Sequence, residues 1–211
     1  MVLVIIELKD KQILLDTLKD EKLIKNDEVL KAFKKIRRED FLPDYLKNLA
    51  YDDVSLPLNK NESMNQLSTT LFFIDILNPK EGNIIYEVGT GSGYSTAILS
   101  EIVGKKGKVI SIELDKELYN KAKINLKNYS NVELILGNGL KGYSDKAPYD
   151  RIIIFGALDE TPTNLINQMK VNGVLIYPKG IILQTLTKII RKEKGIKKEQ
   201  FGEFRLSKLI K

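Results

Sequence analysis

Cysteine and histidine are both missing from this chain of 211 residues. Without cysteine there is no disulfide, no thiolate metal site and no cysteine nucleophile. Without histidine the commonest general base is gone, and with it the Ser-His-Asp arrangement and most zinc sites. Any chemistry must proceed without imidazole, and no metal is expected. Long apolar runs are absent too. Residues 1–6, "MVLVII", are too short for a signal-peptide core or a membrane span, so they read as a short strand, with no membrane partner and the cytoplasm as the default location. Arginine is scarce: only five of the 34 cationic residues are Arg, the residue best suited to bidentate phosphate contacts. The net charge is +6, and its most basic run, "KIIRKEKGIKKEQF", therefore reads as a solvated hairpin rather than a nucleic-acid surface.

What is present suffices for a core. A hydrophobic content of 43% with regular periodicity predicts a single domain over 1–211, with a helical entry region at 9–78 ahead of a sheet region at 79–211. In the entry region "KDKQILLDTLKD" is expected to put Ile13, Leu14 and Leu18 on one helical face. "NDEVLKAFKKIRRED" opens with Asn26 or Asp27 as N-cap, and Pro43 ends the helical stretch, which is read over residues 9–50.

From residue 83 short β-rich runs alternate with helical ones. "NIIYEVG" precedes a helix at 94–103, and "GKVISIEL" precedes one at 116–127. "NVELILG" and "DRIIIFG" follow, then a helix at 163–169 and the strand "GVLIYP". This alternation predicts an α/β fold, doubly wound on a mainly parallel sheet with helices on both faces. Two strand-like runs around Lys194 and Gly195 predict an antiparallel hairpin at the sheet edge.

The loop in "YEVGTGSGYSTAIL" carries Gly89, Gly91 and Gly93 between a strand ending near Glu87 and a helix starting near Tyr94. Ligands of open α/β sheets bind beyond the carboxyl ends of the strands. Missing Cβ atoms let a ligand lie against the main chain, and a helix N-terminus offers unpaired N–H groups. The dinucleotide pattern GxGxxG would need glycine in place of Tyr94, and no P-loop Gly-Lys-Ser/Thr ending follows. Glu113 closes the next strand 24 residues after Gly89, where an acceptor-only carboxylate suits a ribose diol. Asn138 and Gly139 follow the third strand at the same rim, where a polar side chain can meet a purine edge. Together these positions predict a ligand containing a nucleoside.

"EVGTGSGYSTAIL", Glu113 and "GNG" resemble the cofactor site of S-adenosylmethionine-dependent methyltransferases. With "VLKAFKKIRREDFLPDYLKNLAYDDVSLPL", "KAPYD" and "LQTLTKIIRKEKG", the likeness is to the protein-L-isoaspartate O-methyltransferase family over roughly residues 10–211. The resemblance implies a Rossmann-like seven-stranded sheet, S-adenosyl-L-methionine as cofactor and isoaspartyl peptides or proteins as substrate. It implies that Gly89, Gly91 and Gly93 contact the amino-acid half of the cofactor, Glu113 its ribose, and Asn138 with Gly139 its adenine. Glu87, Thr90, Leu114 and Gln184 join the expected cofactor-binding residues, and residues 58–61 are expected to wrap the cofactor. Asn138 stands where the family usually has Asp, and an amide oxygen still accepts from an exocyclic amine.

The acceptor loop departs further. The family's Thr-x-Ser-x-Pro, whose serine holds the substrate carboxylate, is matched by Ser63, Asn65 and Leu67, while Asn61 and Glu62 replace glycines. An Asn amide still donates to a carboxylate, so Asn65 is expected to hold the acceptor with Ser63 assisting. The alternatives are a pocket remodelled for RNA or a small molecule, or a cofactor-binding protein without turnover. Methylation of a carboxylate suits a chain without histidine, because a carboxylate with a reference pKa near 4 is already ionised at pH 7.

Overall fold

The computed structural model describes residues 11–206. The strand expected over residues 1–8 lies outside them. Its central sheet has seven strands in the order β5-β4-β3-β6-β7-β8-β9. These are β3 (Ile84–Val88), β4 (Lys108–Glu113), β5 (Val132–Leu136), β6 (Tyr149–Ile154), β7 (Met169–Lys179), β8 (Gln184–Arg191) and β9 (Ile196–Phe204). The five strands from β5 to β7 are parallel, and β8 and β9 add antiparallel at the edge. A two-stranded antiparallel pair, β1 (Leu56–Pro57) and β2 (Ser63–Met64), stands apart from it. Around the sheet are α1 (Lys11–Asp20), α2 (Asp27–Lys35), α3 (Leu67–Leu77), α4 (Tyr94–Val103), α5 (Lys116–Asn125) and α6 (Thr163–Asn167).

Alternate residues along each central strand feed two separate cores, as the period of two requires. Ile85, Val109, Ile153 and Ile176 face one core with side chains of α1 to α5. Tyr86, Ile110, Ile152, Ile154 and Leu175 face the other, which is closed by the short α6 and by loops. Both faces are covered, which explains why these strands read as continuous apolar runs. The chain enters the sheet at β3, winds outward through β4 and β5, then returns to β6 on the other side of β3. That reversal opens a crevice at the carboxyl end of β3.

Several expected boundaries shift. In α1 the buried residues are Leu14, Leu15 and Leu18, while Ile13 is about half exposed. The face in contact is the i, i+3, i+4, i+7 set beginning at Lys11, whose ammonium bonds the Ile36 carbonyl at 2.8 Å and lies 5.4 Å from the Phe33 and Tyr51 ring centres. Asn26, not Asp27, caps α2: its side chain accepts from Glu28 N–H at 3.0 Å. The helical stretch read through to residue 50 stops at Lys35, and two 3-10 turns, Arg38–Phe41 and Asp44–Leu49, follow around Pro43. Helices α5 and α6 each end two residues early; Met169 already belongs to β7. The edge hairpin turns as expected, with Lys192 N–H donating to Gly195 O at 3.0 Å. Among the described residues no helix is long and apolar enough to cross a membrane.

Candidate active site

At the β3 crevice lies a cavity of about 280 Å³, lined by Gly89, Gly91, Glu113, Leu114, Asn138 and Gly139 from the sheet and by Leu58, Asn61, Glu62, Ser63 and Asn65 from the segment between β1 and α3. Six of the predicted cofactor residues, Gly89, Gly91, Glu113, Leu114, Asn138 and Gly139, thus share one space with Ser63 and Asn65. Phe155 and Gly156 close it from the end of β6, and Asp115 and Leu118 from the start of α5. Those four were missed. Phe155 and Gly156 follow the strand "DRIIIFG" at the same rim as Glu113, and that position was the available signal.

The turn between β3 and α4 is held by backbone bonds from Gly89 N–H to Ile112 O (3.0 Å) and from Gly93 N–H to Thr90 O (2.9 Å). Glu113, nearly buried, secures it from the side. One carboxylate oxygen accepts from Gly91 N–H at 2.8 Å and the other from Asp115 N–H at 2.9 Å. Gly91 has φ of +57°, and a Cβ there would stand 3.3 Å from Leu58 Cδ1. Gly93 does not line the cavity. Its φ of +91° turns the chain into α4, and a Cβ would meet Leu126 at 2.9 Å. Glycine at 93 is a packing requirement.

Glu87 stands behind the cavity wall, and Thr90 is not among the residues lining the main cavity. Glu87 is fully buried and accepts hydroxyl bonds from Ser95 (2.6 Å), Thr96 (2.5 Å) and Ser111 (2.7 Å), while Thr90 shares a 2.6 Å bond with Ser111. Burial raises the Glu87 pKa to about 7, against the three hydroxyls, which lower it. The carboxylate therefore ties β3, β4 and α4 together beneath the glycine turn.

On the far rim Asn138 Oδ1 accepts from Leu140 N–H at 2.9 Å, capping the 3-10 turn Gly139–Lys141. Gly139 lies against β3, where a Cβ would meet Val88 Cγ1 at 2.7 Å, and its carbonyl accepts from Tyr86 OH at 2.8 Å. Gln184 is not brought to the cavity. It is buried at the root of the β7–β8 turn, donating to Ile181 O (3.2 Å) and accepting from Leu206 N–H (2.8 Å). A residue at the start of β8 here braces its own turn and is not among the residues lining the cavity.

The remaining lining residues come from an arch between β1 and β2 and the residues just after it. Leu58 N–H donates to Glu62 O at 2.8 Å, and Asn59 Oδ1 accepts from both Asn61 N–H (2.9 Å) and Glu62 N–H (2.8 Å). Asn59 Nδ2 then reaches Asp115 Oδ2 at 3.3 Å, connecting the arch to the cofactor-side rim. Ser63 is exposed and Asn65 half-buried; both also line a smaller annex of about 60 Å³ shared with Thr90, Ser92 and Tyr94. Leu67 is fully buried at the start of α3. Burial first, then the carboxylates of Glu113 and Asp115, push the Glu62 pKa above its ordinary value.

Comparison with known proteins agrees with this geometry. The family model for protein-L-isoaspartate(D-aspartate) O-methyltransferase matches residues 9–205. Protein-L-isoaspartate O-methyltransferase 2 of Archaeoglobus fulgidus is 40% identical over 180 residues, covering 84% of this chain and 82% of its own. The protein-L-isoaspartate O-methyltransferase of Christiangramia forsetii is 39% identical over 203 residues, 95% of this chain and 93% of its own. Among solved structures, a protein-L-isoaspartate O-methyltransferase superimposes with a TM-score of 0.86 at 28% identity, covering 96% of this chain and 66% of that one. A Plasmodium falciparum chain in complex with S-adenosyl-L-homocysteine shares the fold, with a TM-score of 0.84 at 23% identity over 95% of this chain and 98% of its own. With one family model spanning the glycine turn, the acceptor arch and the edge hairpin alike, the chain belongs to the protein-L-isoaspartate(D-aspartate) O-methyltransferase family.

Proposed function

We propose that the protein transfers a methyl group from S-adenosyl-L-methionine to the free α-carboxylate of L-isoaspartyl residues in damaged polypeptides. The carrying observation is that the glycine turn with Glu113 and the arch with Ser63 and Asn65 line one and the same cavity. The residues present fit the cofactor. Gly89 and Gly91 expose bare main chain to the cavity, and both Glu113 oxygens keep acceptor capacity beyond the single backbone bond each receives.

When bound, the cofactor supplies a methyl group activated on a sulfonium. In our reading Glu113 accepts from the ribose hydroxyls, Asn138 and Gly139 meet the adenine, and Gly89 and Gly91 lie along the amino-acid half. Asn65 donates its amide to the acceptor carboxylate, with Ser63 beside it. The acceptor is ionised at neutral pH, so no residue has to remove a proton, which agrees with a chain lacking histidine. The chain's contribution is then alignment of oxygen, methyl carbon and sulfur. In the product ester methoxide leaves more readily than oxide would from the free carboxylate, so the following backbone nitrogen can close a succinimide with loss of methanol, and water reopens the ring in part to the normal linkage.

The test is incubation with methyl-labelled cofactor and an isoaspartyl peptide. Base-labile label above that found with the matching aspartyl peptide is expected; equal label with the two would reject the assignment. One observation favours a second reading. Glu62 places a carboxylate on the acceptor side of the cavity, which suits a neutral or cationic acceptor better than an anionic one. Base-stable label in RNA or a small molecule, with none in the peptide, would select it.

A further inference from the structure

Arg38 is wholly buried, yet none of its hydrogen bonds goes to a carboxylate. Nη2 donates to Asn65 O at 3.0 Å, Nη1 to Ala50 O at 3.0 Å and Asp52 O at 3.4 Å, and Nε to Met64 Sδ at 3.0 Å. We propose that Arg38 is the positioning residue of the acceptor strand, fixing the Asn65 backbone and the Met64 side chain so that the Asn65 side chain faces the bound carboxylate. This rests on the reading of residues 63–65 as the acceptor side of the site.

Burying a guanidinium is costly unless its donors are used, and here the donors are used on four acceptors of two segments. Two of the acceptors flank the 3-10 turn region at residues 50 and 52; the other two are consecutive residues of the strand end that lines the cavity. The connection is therefore between the entry region and the acceptor arch. Nearby bonds run the same way: Ser55 Oγ donates to Met64 O at 3.0 Å and Gln66 Nε2 to Asp53 O at 3.0 Å. Burial lowers the Arg38 pKa, but a guanidinium starts so high that the group stays charged at any working pH.

The geometry separates this role from general stabilisation. The hydrogen bonds of Arg38 reach the arch and the 50–52 segment, and none reaches Gly89, Gly91 or Glu113. Loss of the fork should free the Asn65 backbone while the cofactor rim keeps its own bonds. An ammonium cannot replace it, because three donors on one nitrogen cannot span acceptors set around a planar fork.

Arg38→Lys and Arg38→Gln are to be made in the full chain and compared with wild type. Expected is a cofactor Kd within about threefold of wild type, with an acceptor KM at least tenfold higher that lysine does not restore. Met64→Leu, which conserves volume but removes the sulfur acceptor, covers the case in which the Arg38 variants fail to fold; its acceptor KM should rise about threefold. Hydrogen exchange read by mass spectrometry supplies an arm independent of any acceptor: exchange over residues 63–67 should quicken in the variants while residues 89–113 stay as in wild type. Unchanged exchange over 63–67, or equal loosening of both segments, overturns the proposal. If wild type itself does not prefer the isoaspartyl peptide, the functional reading fails, and the exchange arm still decides the role of Arg38.

Discussion

Glu113 and Gly91 form one structural unit: the carboxylate accepts the glycine N–H at 2.8 Å, so the acid at the end of β4 sets the position of the turn after β3. The second oxygen is engaged by Asp115 N–H. Replacing Glu113 therefore does two things, removing the acceptor proposed for the ribose and releasing the glycine turn. Glu113→Ala is expected to weaken cofactor binding by about 1–3 kcal/mol. Glu113→Gln should not recover it, because the amide NH2 must face one of two backbone donors. Calorimetric titration checks both, and wild-type affinity in either variant would remove Glu113 from the site.

Gly93→Ala tests the turn without touching the cavity. The residue would carry a Cβ at φ +91° and 2.9 Å from Leu126, so both strain and crowding oppose it. A loss of about 1–3 kcal/mol of stability is expected, with cofactor affinity falling less than in Glu113→Ala. Thermal melts with and without cofactor distinguish the two effects. Loss confined to affinity would mean that Gly93 faces the ligand after all.

Much of this was legible from residue order. Helix α4 and strand β4 fall where the period and the glycine turn place them, and Gly89, Gly91, Glu113, Asn138 and Asn65 do line one cavity. What periodicity cannot convey is which partner lies across a gap of many residues. Gly93 looks like its two neighbours until Leu126 is found against it, 33 positions along the chain. Glu87 looks like a rim acid, but hydroxyls from α4 and β4 enclose it. Arg38 sits in the stretch "RRED", whose place at the end of the predicted helical run carries no sign of burial, and only the fold shows that it is fully buried and bonded to the Asn65 carbonyl.

Glu87 makes stability depend on pH with a definite sign. In the folded chain it titrates near 7, against about 4.3 when exposed in the unfolded chain. Between those values the folded state holds a proton that the unfolded state has lost. Stability from this group is therefore complete below the lower value and declines as pH rises through the higher one. Glu87→Gln abolishes the titration. Relative to wild type, the variant should gain on the order of 2–3 kcal/mol, or several degrees in Tm, between pH 5 and pH 8. Parallel melts at pH 5, 6, 7 and 8 measure it, and a difference that does not vary with pH would put Glu87 at an ordinary pKa.

Asn65→Ala separates the acceptor side of the cavity from the cofactor side. The amide is the group assigned to the carboxylate, while the backbone carbonyl that Arg38 holds survives the change. Peptide methylation should fall by about tenfold or more, the loss expected for one hydrogen bond to a charged group, while cofactor affinity is retained. Asn65→Ser should keep part of the activity, since a hydroxyl also donates. Equal loss of peptide methylation and cofactor binding would contradict the assignment.

Glu62 sets the last expectation, because it faces the same cavity as a substrate that carries its own negative charge. Its pKa is held above the ordinary range by burial and by Glu113 and Asp115, whereas an α-carboxyl titrates near 3.5. As pH falls from 7.5 toward the carboxylate range, Glu62 gains its proton while the acceptor stays ionised, so repulsion between them fades first. Glu62→Gln should therefore lower the acceptor KM at pH 7.5, by about three- to tenfold for one unit charge in a partly solvated cavity, and the advantage over wild type should shrink as the assay is made more acidic. Raising the ionic strength should shrink it as well, since part of the cavity is open to solvent. If the advantage instead persists unchanged at acidic pH, Glu62 acts through the shape of the arch, whose Leu58 N–H to Glu62 O bond the substitution leaves in place.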